Sequence, residues 1–150
     1  MKRLFIAIPL NLNNLAKQSI LEIQTQLSQN SIKWVSFDNL HLTLQFIGDT
    51  HENDIVSIIK ILDNLQEYFN KFEVKLSGLY TFGNRDNPNV LWTKWIDNNQ
   101  SKNLAKLLNE QISLMNNVKS NDEFIPHLTL GRVKRISDLS NFNEIISNNA

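Results

Sequence analysis

The segment His-Leu-Thr-Leu occurs twice, in NLHLTLQFIGD from His41 and in FIPHLTLGRVK from His127, and takes up two of the 3 histidines in the chain. Along a strand, successive side chains point to opposite faces. Each copy therefore specifies a strand with His and Thr on one side and two leucines on the other. Leu42 and Leu44, and likewise Leu128 and Leu130, need a covering layer, while the other side stays polar. Such one-sided strands belong to antiparallel sheets packed under helices.

The rest of the pattern fits that architecture. RLFIAIP (Arg3 to Pro9) and IKWV are short apolar runs that predict buried strands. Leu12, Leu15, Ala16, Ile20, Ile23 and Leu27 recur at helical spacing, as do Ile55, Ile58, Ile59, Leu62 and Leu65, and later Leu104, Leu107, Leu108, Ile112 and Met115. These are three amphipathic helices, over about 12–27, 52–69 and 100–115, the second with Thr50 as its expected N-cap. KFEVKLSGLYTFG alternates Phe72, Val74 and Leu76 against Glu73, Lys75 and Ser77, which predicts a half-buried strand. A turn at NRDNPN leads to the strand VLWTKWI. ISDLSNFNEIIS predicts a last short helix. The order of elements argues for an α+β fold within one domain of 150 residues, with no linker or low-complexity segment.

Composition narrows the function classes. Lys+Arg and Asp+Glu are equal at 15 each, so no global positive field attracts nucleic acid, and affinity for RNA would have to come from a local site. The absence of cysteine excludes disulfides and thiolate metal ligation and is compatible with a reducing cytosol. Lys2 and Arg3 precede an apolar run too short for a signal core, and no stretch approaches the roughly 20 apolar residues of a membrane span. A soluble cytoplasmic protein is expected. The many asparagines suggest coding bias, and no single one is given a role.

Two His-x-Thr faces suit one chemistry. A neutral imidazole can take a proton from water while a cationic one gives a proton to a leaving oxygen. Two hydroxyls can donate to the non-bridging oxygens of a phosphate between them. Metal ligation fits less well, because no carboxylates or further histidines stand at ligand spacing, and a Ser-His-Asp arrangement would leave one copy unexplained. Neither a metal nor another cofactor is expected. Either copy alone reads as an ordinary strand; the matched pair favours a site.

HLTLQFIGD and PHLTLGR resemble the paired signature of the 2H phosphoesterase superfamily. With RLFIAIP, IKWVSFDNLHLTLQFIGD and FIPHLTLGRVK, residues 2–135 look like its RNA 2′,3′-cyclic phosphodiesterase branch, once described as 2′-5′ RNA ligases. The resemblance implies one bilobal domain over 1–150, with two antiparallel sheets flanking a central cleft, helices on the outer faces and a pseudo-two-fold. It implies hydrolysis, without metal, of an RNA or nucleotide 2′,3′-cyclic phosphate to a 2′-phosphate by a protein expected to be monomeric. His41 and His127 would be the acid–base pair, and Thr43 and Thr129 the phosphate-holding hydroxyls. Arg132 would add a phosphate contact and Phe46 a substrate-stacking ring. The family pattern also adds two strands after the last helix that this sequence does not contain, so an exposed sheet edge is expected.

Strand alternation bears on two of these residues. Counted from His127, Arg132 falls on the leucine face unless Gly131 marks a bulge that turns it over. Phe46 falls with Leu42 and Leu44, where a core role is equally consistent. His51, lacking a Thr two residues on, reads as solvated. Lys33, Arg85, Lys94, Lys134 and Arg135 are candidate rim charges, and Trp34, Trp92 and Trp95 read as packing residues. Two other functions fit the same residues: a module that binds RNA or nucleotide phosphate ends without turnover, and reversible 2′-5′ RNA ligation.

Overall fold

The structure is a computed structural model that describes residues 1–116 and 124–150. The fold is α+β with two antiparallel sheets and four helices among the described residues. In chain order these are β1 (Lys2–Pro9), α1 (Asn14–Gln26), β2 (Ser31–Trp34), β3 (His41–Thr50), α2 (Glu52–Leu65), β4 (Lys75–Asn84), β5 (Asn87–Ile96), α3 (Gln100–Asn116), β6 (His127–Arg135) and α4 (Leu139–Asn148). β1 and β3 form a two-stranded sheet; β2, β6, β5 and β4, in that order, form a four-stranded one. Each sheet thus holds one His-Leu-Thr-Leu strand. Among the described residues no helix is long and apolar enough to cross a membrane.

The chain divides into two compact units. One comprises Met1–Ile8, Thr43–Val74 and Ile96–Pro126. Here α2 and α3 pack on each other, and Leu44, Ile58, Ala105, Leu108 and Ile112 are buried. β3 ends at Thr50, which is buried and whose hydroxyl donates to the Gly48 carbonyl at 3.0 Å. Thr50 is therefore not the N-cap of α2: that place belongs to His51, whose side chain makes no capping bond. The Thr50 hydroxyl is already spent on the strand end. Glu52 and Asp54 in the first turn complement the helix dipole instead. α2 is also shorter than the apolar spacing predicts, passing into a 3-10 turn at Gln66–Tyr68, and Ile59 is exposed. α3 follows a sharp reversal at Asn98 and Asn99, with φ of 56° and 65°. The buried Asp97 carboxylate accepts from the Ser101 amide at 3.0 Å and so caps the helix.

The other unit comprises Pro9–Leu42, Lys75–Trp95 and His127–Ala150. Its core is the leucine side of the four-stranded sheet, where Leu79, Leu91, Leu128 and Leu130 lie inward, together with Leu27 of the α1 C-terminus and Phe142 of α4. Asn13 caps α1 by accepting from the Ala16 amide at 2.8 Å, and Asp138 caps α4 by accepting from the Asn141 amide at 3.1 Å. The end of α4 is tied to its neighbours: the Leu79 amide donates to the Asn149 carbonyl at 2.9 Å, and Asn149 Nδ2 donates to Gln26 Oε1 at 2.9 Å. The loop before α4 is held by Ser137, which donates through its amide to Asn30 Oδ1 and through its hydroxyl to the Gln29 carbonyl.

Two strand boundaries differ from the sequence pattern. β4 begins at Lys75, so Phe72 and Val74 lie outside it. Burial still alternates through residues 71–74, and the chain passes between the units at Val74, where no ladder partner takes it up. β5 starts earlier than the pattern predicts, at Asn87, and includes Pro88. Pro88 precedes the paired stretch with β6, which runs from Val90, so its missing amide costs that ladder no bond.

Gly131 lies where the sheet is closely packed. A Cβ built there would meet Ile32 Cγ2 at 2.9 Å, Trp34 Cε3 at 3.1 Å and the Lys33 carbonyl at 3.2 Å. The last is backbone and cannot swing aside. Gly131→Ala is expected to destabilise the protein by about 1–3 kcal/mol, as overpacking does, read as a lower urea midpoint with unchanged slope.

Candidate active site

The pairing of β5 with β6 decides which side chains share the polar face of the four-stranded sheet. Lys94 faces His127, Thr93 faces Leu128 and Trp92 faces Thr129; then Leu91 faces Gly131 and Val90 faces Arg132. β5 runs without interruption, so Val90, Trp92 and Lys94 are on one side. Leu130 has no partner on β5 and is the extra residue of a bulge. Its carbonyl is taken by the Val35 amide at 2.8 Å. Both Leu130 and Gly131 are buried, and the alternation beyond them is reversed. Arg132, exposed and opposite Val90, consequently lies on the side of His127 and Thr129. On the outer flank, β2 pairs Lys33 with Arg132, which adds Lys33 to the same side.

An aromatic row completes this face. The Tyr80 and Trp92 rings are 4.9 Å apart, Phe82 stacks on Trp92 at 4.7 Å, and Phe82 meets the His127 imidazole edge-on at 5.0 Å. Trp92 also approaches His127, at 5.8 Å and 71° between planes. Lys94 Nζ lies over Tyr80 at 4.8 Å from its centre and closes the other end of the row. The torsion that turns a histidine ring is broad and weakly preferred, and the two edge-on ring neighbours restrict the plane of His127. Trp92 Nε1 is buried with no hydrogen-bond partner in the structure, a polar cost accepted within this row. These rings escaped the sequence reading, which treated Trp92 as packing. The available signal was the period-two placement of Tyr80 with Phe82 and of Trp92 with Lys94 on either side of a turn.

The first motif begins β3. His41, Thr43 and Gln45 alternate with the buried Leu42 and Leu44 and are each half-buried. His41 Nδ1 is 2.7 Å from the Asn39 carbonyl. A carbonyl only accepts, so Nδ1 carries the hydrogen, and Nε2 is the nitrogen left to exchange a proton. Gln45 Oε1 is buried without a hydrogen-bond partner. Phe46 is on the leucine side of the strand yet 60% exposed, with the Arg3 guanidinium 5.6 Å from its ring centre. It is a surface ring in contact with β1, neither core nor on the side of His41 and Thr43. His51 is exposed, and Trp95 is buried in the core. Among the described residues no group of three or more His, Asp or Glu side chains stands where it could hold a metal ion.

Removing the Phe82 ring isolates its effect on His127. In Phe82→Leu the proton resonances of the His127 ring are expected to shift markedly, while those of His51, exposed and remote in sequence, stay in place. Two-dimensional NMR of the imidazole protons reads both in one sample.

Comparison with known proteins places this geometry in a family. Residues 10–92 match the family described as LigT like Phosphoesterase. A Methanocaldococcus jannaschii protein named RNA 2′,3′-cyclic phosphodiesterase is 34% identical over 136 residues, 91% of this chain and 74% of that protein. A protein of the same name from Aquifex aeolicus is 35% identical over 118 residues, 76% of this chain and 61% of its own length. The crystal structure of TT0787 from Thermus thermophilus superposes with a TM-score of 0.72 at 24% identity, over 91% of this chain and 77% of that one, and shares its fold. By its matched residues and its relatives, this chain belongs to the LigT-like phosphoesterase family.

Proposed function

We propose that the protein hydrolyses a 2′,3′-cyclic phosphate at the end of an RNA or nucleotide and leaves a 2′-phosphate and a free 3′-hydroxyl. The observation that carries this reading is the polar side of β6, where an imidazole, a hydroxyl and a guanidinium are aligned by the bulge at Leu130. A second imidazole–hydroxyl pair of the same spacing stands on β3. The curated relatives named RNA 2′,3′-cyclic phosphodiesterase support the substrate class.

In this reading both His-x-Thr pairs act on the same phosphate. His127 takes a proton from water as its oxygen bonds to phosphorus. The P–O3′ bond breaks on the opposite side, and cationic His41 gives the Nε2 proton to the departing 3′ oxygen. Thr43 and Thr129 donate to the non-bridging oxygens, whose charge grows toward the transition state, and Arg132 adds a planar pair of donors. Phosphate binding alone would be met by Arg and Lys, so two imidazoles at matched positions favour turnover over a passive binding module.

The test is an oligonucleotide ending in 2′,3′-cyclic phosphate, with the product isomer identified. His41→Ala and His127→Ala are each expected to lower kcat by about 10²–10⁴-fold. The wild-type rate should be bell-shaped in pH: protonating the base removes activity on the acid side, and deprotonating the acid removes it on the alkaline side. Chelators should leave the rate unchanged. Unaltered turnover in both histidine variants, or a 3′-phosphate product, would refute the mechanism. Tight binding with no product would replace it by the binding module.

A further inference from the structure

The polar side of β6 is bordered by cations that a sheet would not choose for its own stability. Arg132 is directly opposite Lys33 on β2, and like charges facing each other across a ladder destabilise it. Lys94 is directly opposite His127 on β5. The remaining partners on this side, Val90 opposite Arg132 and Trp92 opposite Thr129, are uncharged. No register position on this face of β5 or β6 therefore supplies a carboxylate. The two pairs are treated differently by their surroundings. Lys94 is over the Tyr80 ring, which receives its charge. Lys33 and Arg132 are both exposed at the flank toward β2.

We propose that Lys33 and Arg132 form a subsite for a second phosphate, the phosphodiester on the 5′ side of the nucleotide that carries the cyclic phosphate. Its ligand class is an oligoribonucleotide rather than a mononucleotide. Arg132 is about 7–10 Å along the strand from Thr129, and Lys33 one strand spacing further out, about 5 Å. That offset matches one step of nucleotide backbone leading away from the reacting group. A guanidinium has five donors, so Arg132 can serve both phosphates, whereas Lys33, one strand further from Thr129, is placed toward the second. A bound diester relieves the repulsion between the two cations, which couples occupancy of the subsite to the ladder itself. The inference depends on the proposed hydrolytic pair only for where the terminal phosphate is held.

Lys33→Gln is the informative variant, since Lys33 has no part in the proton transfers. For a dinucleotide ending in 2′,3′-cyclic phosphate its KM should rise about 3- to 10-fold with kcat unchanged, and the slope of log affinity against log salt should fall by about 1. For a nucleoside 2′,3′-cyclic phosphate, which lacks the second phosphate, both constants should stay at wild-type values. Lys33→Glu sets a carboxylate opposite Arg132 and should raise the melting temperature while weakening the dinucleotide further. An equal loss on both substrates, or no loss on either, would overturn the proposal.

If the wild-type protein turns over neither substrate, the hydrolytic reading fails, and the subsite is judged by binding alone. Fluorescence anisotropy with a labelled tetranucleotide then decides. Weaker binding in Lys33→Gln, not reproduced when inorganic phosphate is the titrant, supports the subsite; equal affinity overturns it.

Discussion

The ladder between β5 and β6 accommodates Leu130 as an unpaired residue, and the composition of the polar face follows from that offset. Before the bulge, His127 and Thr129 point away from the leucine core. After it the parity is reversed, and Arg132 joins them while Gly131 turns inward. Without the extra residue a guanidinium would be driven among buried leucines, at a cost no nearby carboxylate could offset. The bulge needs Gly131 beside it, because Ile32, Trp34 and the Lys33 backbone leave no room for a side chain. One unpaired residue and one missing Cβ thus bring three candidate site residues, His127, Thr129 and Arg132, to one side of a single strand.

Much of this was legible in the sequence because period-two alternation and helical spacing are properties of the residues themselves. The two His-x-Thr strands, their opposed leucines and the four helices are where the apolar pattern puts them. Gly131 also flagged an irregularity in β6, since an Arg at the next position conflicted with its face. What alternation could not reveal was pairing. That Trp92 faces Thr129, and that Phe82 reaches His127 from a strand not adjacent to β6, depends on register, which is set by a bulge on the partner strand. Phe46 was ambiguous for a related reason: its side of the strand could be counted, but whether anything covers that side could not. Thr50 was a plausible cap by residue type, yet its hydroxyl bonds within the strand end.

The row Lys94, Tyr80, Trp92, Phe82 and His127 shows how a sheet can surround an imidazole with rings. His41 is held through Nδ1 by a backbone carbonyl, and His127 lies against the edges and faces of rings. The difference in partners gives two chemically identical side chains distinct surroundings, which is what separate acid and base roles require.

Asparagine, abundant enough to suggest a drift in coding composition, serves several places where regular backbone geometry stops. Asn13 caps α1, and Asn30 holds the loop before α4. Asn98 and Asn99 occupy successive left-handed positions, and Asn149 ties the last helix to α1. These are jobs in which a short amide is as good as any alternative, and at a left-handed position it is better than most. β1, β2, β3 and β6, by contrast, contain no asparagine at all. Asparagine thus works at several joints of this chain while the strands that carry the two motifs are free of it.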